Sequence, residues 1–175
     1  MVDADVLAGC RAGECGARQR LYELCHTQVF RLMVRMAGLP DAEDLTQQVF
    51  LQVFRTIGQF AGHSKFETWL YRLAVNEALQ HLRKRQRWRF QAITREPTSN
   101  HRPEDERGEQ RELLDQALAR LEPELRSIFV VREVEGLSYH QIAEAADIPE
   151  GTVGSRLNRA RRQLQQLLTD LGWEP

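Results

Sequence analysis

Apolar residues recur at three- and four-residue spacing through the first half of the chain, which is the pattern of amphipathic α-helices. One run is stopped by residues 38–40, a second begins near Asp41 and loosens at Gly58, and a third extends from Phe66 to about Trp88. The stripes of the first two runs contain Leu21, Tyr22, Cys25, Val29, Leu32, Met33 and Met36, and Leu45, Val49, Val53 and Ile57 with Phe50 and Phe54 beside them. These runs predict one compact helical domain over residues 1–90.

Residues 91–108, QAITREPTSNHRPEDERG, interrupt this pattern with two prolines, many charges and few apolar side chains. That composition is typical of a flexible linker rather than of a core element. Helical periodicity resumes at Leu113, and Pro123 is placed to open a further helix that Gly136 ends. We therefore expect a second small helical domain at residues 109–175 and an all-α fold, because the sequence has no strand-like alternation.

Two helices joined by a short turn close the second domain. Ser138 and Gln141 have the spacing of a capping box, as do Ser64 and Glu67 earlier in the chain. Residues 147–149 form the turn, and the last helix then buries one stripe, made of Val153, Leu157, Ala160 and Leu164. The opposite face carries Thr152, Ser155, Arg156, Arg159 and Arg162. Such a helix-turn-helix suits a DNA major groove, and a solvated basic face on an ordinary helical hairpin is the simpler alternative.

The charge distribution sharpens this picture, although the net charge of the 175 residues is only −1. Residues 81–95 carry six bases and no acid, residues 96–115 have seven acids against three bases, and residues 151–162 carry four arginines and no acid. Two basic blocks around an acidic one indicate two polyanion-binding surfaces and a connector. No apolar run approaches the roughly 20 residues of a membrane helix and no leader opens the chain, so we expect a cytoplasmic protein without stable membrane insertion.

Three cysteines near the start of the chain are the candidates for metal or redox chemistry. Cys10, Cys15 and Cys25 are followed by His26, but their spacing matches no zinc pattern. Cys25 also falls on the apolar stripe of its helix, where a free thiol is a small buried hydrophobe. We expect no metal and no other cofactor, and a redox or metal role of the three thiols stays open.

Three segments resemble sigma-70-type transcription initiation factors, specifically their extracytoplasmic-function group. IPEGTVGSRLNRARRQL is similar to the recognition helix of that family, DAEDLTQQVFLQVF to its polymerase-clamp segment, and FAGHSKFETWLYRLAVNEALQHLRKRQR to the segment that opens and reads the minus-ten promoter element. The three occur in the family's order, and the resemblance covers residues 18–168. It implies a factor, not an enzyme, that binds core RNA polymerase and directs it to promoters.

The resemblance also implies a role for individual residues. Core polymerase would be bound by Asp41, Glu43, Asp44, Gln47, Gln48 and an exposed Phe50. The minus-ten element, in its melted form, would be bound by Phe60, His63, Ser64, Lys65, Trp69, Arg72, Asn76, Arg83 and Lys84, although Phe66 and Trp69 also fit a core role. The double-stranded minus-thirty-five element would be bound by Thr152, Ser155, Arg156, Asn158, Arg159 and Arg162.

The family pattern brings one further partner and one departure. Family members are commonly held inactive by an anti-sigma factor, so the resemblance implies such a partner. Where the recognition helix usually has a lysine or arginine after GTV, this chain has Gly154. The competing interpretations are a conventional helix-turn-helix regulator with an N-terminal sensing or dimerisation domain, and a metal-dependent enzyme, for which the sequence holds no acid, base and nucleophile set.

Overall fold

The computed structural model describes the backbone of residues 2–91 and 106–173 and the side chains of residues 2–85 and 110–173. Every regular element within those ranges is helical, which confirms the all-α expectation for the described residues. Most of the predicted linker at residues 91–108 lies outside them, but residues 91 and 106–108 are helical, so the linker prediction is wrong at both of its ends. The helices are α1 (Ala4–Ala12), α2 (Cys15–Ala37), α3 (Leu39–Thr56), α4 (Phe66–Gln91), α5 (Glu106–Arg120), α6 (Pro123–Glu133), α7 (Tyr139–Ala146) and α8 (Glu150–Asp170), with a 3-10 turn at Ile57–Gln59.

The first half of the chain packs α1, α3 and α4 around the long helix α2. The predicted stripe of α2 is buried at Leu21, Cys25, Val29, Leu32, Met33 and Met36. Helix α3 starts at Leu39, two residues before the expected start, because Pro40 occupies the first turn, where its missing N–H costs no hydrogen bond. Helix α1 was not among the expected elements.

One of the two predicted capping boxes forms and the other does not. At α7 the Gln141 N–H donates to Ser138 Oγ at 3.2 Å, and the Ser138 N–H donates to Gln141 Oε1 at 2.8 Å, which confirms that prediction. Helix α4 begins at Phe66, and its first turn closes with the Trp69 N–H on the Lys65 carbonyl at 3.2 Å. The Ser64 box is therefore wrong, because the helix starts one residue too late for that serine to cap it.

The second half packs α6 and α7 against α8. The predicted stripe of α8 is buried as expected, at Val153, Leu157, Ala160 and Leu164. Pro123 is in the first turn of α6, also as predicted. The last two helices thus form the expected helix-turn-helix, with α6 behind them.

The two halves also pack on each other, and the sequence did not indicate this. Helices α5 and α6 contact α2, and α7 lies along α4. One cluster of buried apolar residues runs through both halves, from Leu21 and Tyr71 to Ile142 and Leu157. Among the described residues no helix has the length and apolar character needed to cross a bilayer.

Candidate nucleic-acid and partner interfaces

Helix α8 presents a polar face opposite its buried stripe. Ser155, Asn158, Arg159 and Arg162 are exposed on it, and Thr152 and Arg156 are half-buried. The Ser155 hydroxyl donates to the Thr152 carbonyl at 2.9 Å. Arg159 lies 3.4 Å from a Glu122 carboxylate oxygen, a weak surface pair that solvent screens. All six predicted minus-thirty-five residues are thus on the solvent side of the helix, with guanidiniums that can reach a groove.

The turn before α8 sets the angle between the two helices. Asp147 has φ +54°, the left-handed conformation that an aspartate tolerates better than most residues. The Ile148 N–H donates to the Ala143 carbonyl at 3.1 Å, and the Thr152 N–H donates to the Pro149 carbonyl at 2.8 Å. The end of α7 and the start of α8 are therefore both closed by backbone hydrogen bonds, so the orientation of α8 is well determined.

Gly154 lies between the buried stripe and the polar face of α8, toward α7. A Cβ at this position would lie 3.5 Å from Cε2 of Tyr139, which is an ordinary van der Waals contact. The Arg132 guanidinium carbon lies 5.3 Å from the centroid of the same ring, within the range of a cation–π contact. An alanine fits here, whereas an arginine would meet a ring that already carries a cation.

The loop before α4 is built on three aromatic side chains. The Phe60 ring centroid is 5.8 Å from that of Phe66 and 5.3 Å from that of Trp69. Above this cluster Gly62 has φ +77°, and His63 and Lys65 are exposed. Ring pairs at these distances are mutually stabilising, so the cluster gives the loop a rigid base.

One aromatic prediction for this loop changes with the structure, and the core role that Phe66 was expected to fit agrees with it. Phe60 is only 8% exposed and Phe66 only 5%, so both rings belong to the core. The assignment of Phe60 to direct DNA binding is corrected: its ring is covered by neighbouring rings and supports the loop. Trp69 is half-buried and keeps part of its surface open, and Ser64 is half-buried beside His63.

Helix α4 continues the loop with a polar stripe. Trp69, Arg72, Asn76 and Arg83 follow one another at three-, four- and seven-residue spacing, which places them on one side of the helix. Arg72 and Asn76 are exposed, and Arg83 makes an ion pair of 3.0 Å with Glu124 of α6. Lys84 does not share this stripe, because it lines the groove described next.

A groove of ≈ 440 Å³ separates α3 from α4. It is lined by Asp41, Asp44, Leu45, Gln48, Glu77, Gln80, His81 and Lys84. Asp41 is held in place by Arg85, which donates to its carboxylate at 2.8 Å, and His81 Nε2 lies 3.3 Å from the same carboxylate. Asp44 and Gln48 face the groove without such an ion pair to a described residue, which leaves a carboxylate and an amide available to a partner.

Phe50 is buried, so the prediction that it is an exposed partner-binding residue is wrong. Phe50 is 3% exposed, and its ring centroid lies 4.7 Å from that of Tyr22 and 6.1 Å from that of Phe54. It therefore packs α3 on α2 and cannot contact a partner. Glu43 and Gln47 are exposed on the same helix, with Gln47 Nε2 at 3.5 Å from Glu43 Oε1.

The three thiols occupy different environments. Cys10 is 1% exposed and Cys25 is 4% exposed, whereas Cys15 is on the surface. Burial, together with the charge of Glu67, raises the pKa of the Cys25 thiol to about 11. Cys25 is thus a small buried hydrophobe, as its stripe position indicated. Within the described ranges no group of three or more histidine, cysteine or acidic side chains is placed to hold a metal ion.

Sequence reasoning missed the polar contacts between the two halves. Arg126 is 6% exposed, and it donates to the Met36 carbonyl at the end of α2 at 2.6 Å and to the Leu121 carbonyl at 3.1 Å. Burial lowers the pKa of Arg126 to about 10. A helix C-terminus attracts a cation, so this guanidinium joins α6 to α2. The available signal was an arginine inside the apolar period of α6.

A second contact between the halves centres on a buried tyrosine. The Tyr71 hydroxyl donates to a Glu135 carboxylate oxygen at 2.5 Å, and Gln28 donates to the same hydroxyl. Burial, with the Glu135 hydrogen bond and charge, raises the pKa of Tyr71 well above its usual range. Beside it, Gln141 Nε2 donates to Thr68 Oγ1 at 3.1 Å. The cap of α7 thus also touches the start of α4.

The chain matches the family models of sigma-70 region 2 over residues 21–88 and of sigma-70 region 4 over residues 111–164. An extracytoplasmic-function RNA polymerase sigma-E factor of Haemophilus influenzae is 32% identical over 98% of this chain and 97% of its own length. The factor SigE of Mycolicibacterium smegmatis is 38% identical over 81% of this chain, an alignment that spans 57% of the SigE sequence.

The fold has a counterpart among solved structures. The sigma factor RpoE of Bartonella quintana, solved in complex with the anti-sigma factor NepR, superposes with a TM-score of 0.71. The superposition covers 86% of this chain and 96% of RpoE at 24% sequence identity. At that identity the likeness supports the fold.

Proposed function

The chain belongs to the sigma-70 family of transcription initiation factors, in its extracytoplasmic-function group, and we propose that it binds core RNA polymerase and promoter DNA through three separate surfaces. The groove between α3 and α4 takes the polymerase. The loop at residues 60–66 with the stripe of α4 takes the melted minus-ten strand. The polar face of α8 takes the minus-thirty-five duplex.

The observation that carries this proposal is the two-sided structure of α8. Its buried stripe packs on α6 and α7 while hydroxyls and guanidiniums face solvent, and a capped α7 and a closed turn fix its direction. Arginine can donate two hydrogen bonds to a guanine edge, and neighbouring cations bind phosphates. A helix face that is merely solvated does not require the capped α7 and the closed turn that fix the direction of α8.

The loop and α4 are suited to a separated strand. A base that leaves the duplex loses stacking worth a few kcal/mol and needs a shaped receptor in return. Exposed His63 and Lys65 sit on a rigid aromatic base, and Trp69, Arg72 and Asn76 continue along one side of α4. An aromatic surface with cations and an amide is the kind of track that binds single strands.

The groove is suited to a basic partner surface. Asp44 and Gln48 line it, and Glu43 and Gln47 extend the same face of α3. A carboxylate and amide face can pair with arginines across an interface and set its register. A conventional helix-turn-helix regulator has no use for this groove or for the loop, and the match to sigma-70 region 2 over residues 21–88 also disfavours that reading.

We propose domain limits at residues 1–90, 91–108 and 109–175, and an opening of the two domains on the promoter. The minus-ten and minus-thirty-five elements are about 25 base pairs apart, or about 85 Å at about 3.4 Å per pair. A folded chain of 175 residues has a radius of gyration of about 16 Å. The arrangement in which Gln141 bonds to Thr68 cannot reach both elements, so these contacts must break.

Further proposals follow from family membership alone. An anti-sigma protein is expected as an inhibitory partner, as NepR is found with the Bartonella quintana factor. The factor works in the cytoplasm, where RNA polymerase meets the chromosome. The chemistry of RNA synthesis belongs to the polymerase, and this chain contributes binding and positioning.

Paired arginine variants test the α8 proposal. In holoenzyme on promoter DNA, Arg156→Ala should weaken binding by about 1 to 3 kcal/mol on the cognate minus-thirty-five sequence and much less on a scrambled one. Arg161→Ala is the matched control, because Arg161 bonds to Glu133 at 2.6 Å, away from the polar face. Equal losses on both sequences, or a larger effect of the control, would contradict a base-reading role.

A further inference from the structure

Helix α1 precedes the segment that matches sigma-70 region 2, and it has one fixed position on the domain. A Cβ at Gly9 would lie 2.6 Å from the Ala17 Cβ, so only a glycine lets α1 pack this closely on α2. Gly13, at φ +84°, reverses the chain, and the Glu14 N–H donates to the Gly9 carbonyl at 3.0 Å. Cys10 is buried beside this contact. These features determine where the next side chain, Arg11, can reach.

Arg11 reaches the entrance of the loop before α4. Its Nη2 donates to the Phe60 carbonyl at 2.7 Å, across 49 residues of sequence. Its guanidinium carbon also lies 5.8 Å from the centroid of the Phe60 ring, within the range of a cation–π contact. The same side chain therefore holds both the backbone and the ring of Phe60.

Phe60 is the residue at which the chain leaves the 3-10 turn and enters the loop. Its N–H bonds to the Ile57 carbonyl at 3.2 Å, and its own backbone is extended, with φ −69° and ψ 100°. The direction of its carbonyl sets the path of residues 61–65. The ring is held on the other side by Phe66 and Trp69.

We propose that Arg11 is a positioning residue for the minus-ten loop, which it acts on by clamping Phe60 from a helix outside the matched region. The inference rests on the function proposed above for that loop. A loop that binds a single strand loses affinity when the loop itself must be ordered on binding. Because Arg11 already fixes the carbonyl and the ring of Phe60, part of this entropic cost of ordering the loop is avoided. Arg11 itself touches no base.

The competing role for an exposed arginine near such a loop is a direct phosphate contact. The two roles differ in salt dependence, because each phosphate contact on a single strand adds about 0.7 to the slope of log affinity against log salt concentration. A positioning residue changes the affinity for the cognate strand and leaves that slope unchanged. The two roles differ also in sequence dependence, since a phosphate contact serves every strand alike.

The experiment uses holoenzyme assembled from the full chain and core RNA polymerase. The probe is a labelled single-stranded oligonucleotide with the minus-ten sequence of a promoter that the wild-type holoenzyme opens, beside a scrambled strand of the same composition. Arg11→Ala should bind the cognate strand about tenfold more weakly, the effect of losing one hydrogen bond from a charged donor. Its affinity for the scrambled strand, its salt slope and its affinity for core polymerase should stay within error, and its Tm should fall by only a few degrees.

Two further variants complete the test. Gly9→Val keeps every charge but displaces α1, so it should reproduce the loss of discrimination. Arg20→Ala removes one positive charge from the exposed side of α2, where Arg20 lies 3.9 Å from Glu23, and should leave the discrimination between the two strands unchanged. If Arg11→Ala still discriminates between the cognate and the scrambled strand, this inference is overturned while the assignment of the loop stands. A lower salt slope in Arg11→Ala has the same consequence. A wild-type holoenzyme that does not discriminate between the two strands overturns both the loop assignment and this inference.

Discussion

Glu135→Ala should open the two halves of the free protein and tighten its binding to core polymerase. The variant removes the carboxylate that accepts the Tyr71 hydroxyl at 2.5 Å and leaves Tyr71 with Gln28 as its remaining partner. A phenol is protonated through the physiological range, and burial and the Glu135 contact raise the pKa of Tyr71 further, so its hydroxyl can donate to Glu135 whenever the halves are closed. Its loss therefore acts on the closed form.

The size of the effect follows from the contact. A hydrogen bond to a charged acceptor contributes about 1.5 to 3 kcal/mol, and the lower end applies because Glu135 is half-exposed. About 1.5 kcal/mol is about a tenfold shift in the ratio of open to closed chains. If only the open form engages polymerase, the apparent affinity rises by the same factor while the open form is the minor one.

The assay reads both consequences on the same protein. A donor dye on Cys15 and an acceptor dye on Gln165→Cys of α8 report the separation of the halves, and titration with core polymerase reports the affinity. Glu144→Ala is the matched control, since it removes an exposed acid from α7. Energy transfer and affinity that are the same in Glu135→Ala, Glu144→Ala and the parent would refute the reasoning that these contacts hold a closed form.

Three further outcomes are expected. At pH 8 iodoacetamide should label the surface thiol of Cys15 first, and mass spectrometry counts the labels. Cys25 should stay unlabelled until the protein unfolds, because its side chain is buried and its pKa of about 11 leaves little thiolate. Gly154→Ala should stabilise the protein by up to about 1 kcal/mol, since the new methyl group meets Tyr139 at ordinary contact distance; thermal unfolding measures this. Asp44→Arg should weaken binding to core polymerase without lowering Tm, because it reverses a charge in the groove; a pull-down with purified polymerase measures this.

Each of these three predictions would be contradicted by a specific result. Rapid double or triple labelling of the native protein would show that the buried thiols are accessible. A lower Tm in Gly154→Ala would mean that α7 and α8 pack more tightly than the 3.5 Å contact implies. Unchanged polymerase binding in Asp44→Arg would move the polymerase surface away from the groove between α3 and α4.

Local signals in the sequence predicted the helix-turn-helix closely. The box of Ser138 and Gln141, the proline at position 123 and the stripe from Val153 to Leu164 are all in the structure, because each depends on neighbours along the chain. Phe50 shows where such signals stop. It lies at the edge of the stripe of α3, and only the position of Tyr22 on another helix decides that it is covered.

The missed features depend on contacts between distant segments. Helix α1 has nine residues and contains a glycine, so its own periodicity is weak, and it is stable because Gly9 packs on α2. In the sequence Arg126 is one more basic residue in a charged chain, because the Met36 carbonyl to which it donates lies 90 residues away. The closed packing of the two halves likewise depends on facing surfaces, which no pattern within one helix encodes.

The central claim is that this chain turns core RNA polymerase into a promoter-specific enzyme. The direct measurement is run-off transcription from genomic promoter templates by purified core polymerase, with and without the protein, and with the Asp44→Arg variant beside it. We predict transcripts of defined length that require the protein and fall strongly with the variant. Transcripts that are the same with and without the protein on every template would contradict the claim.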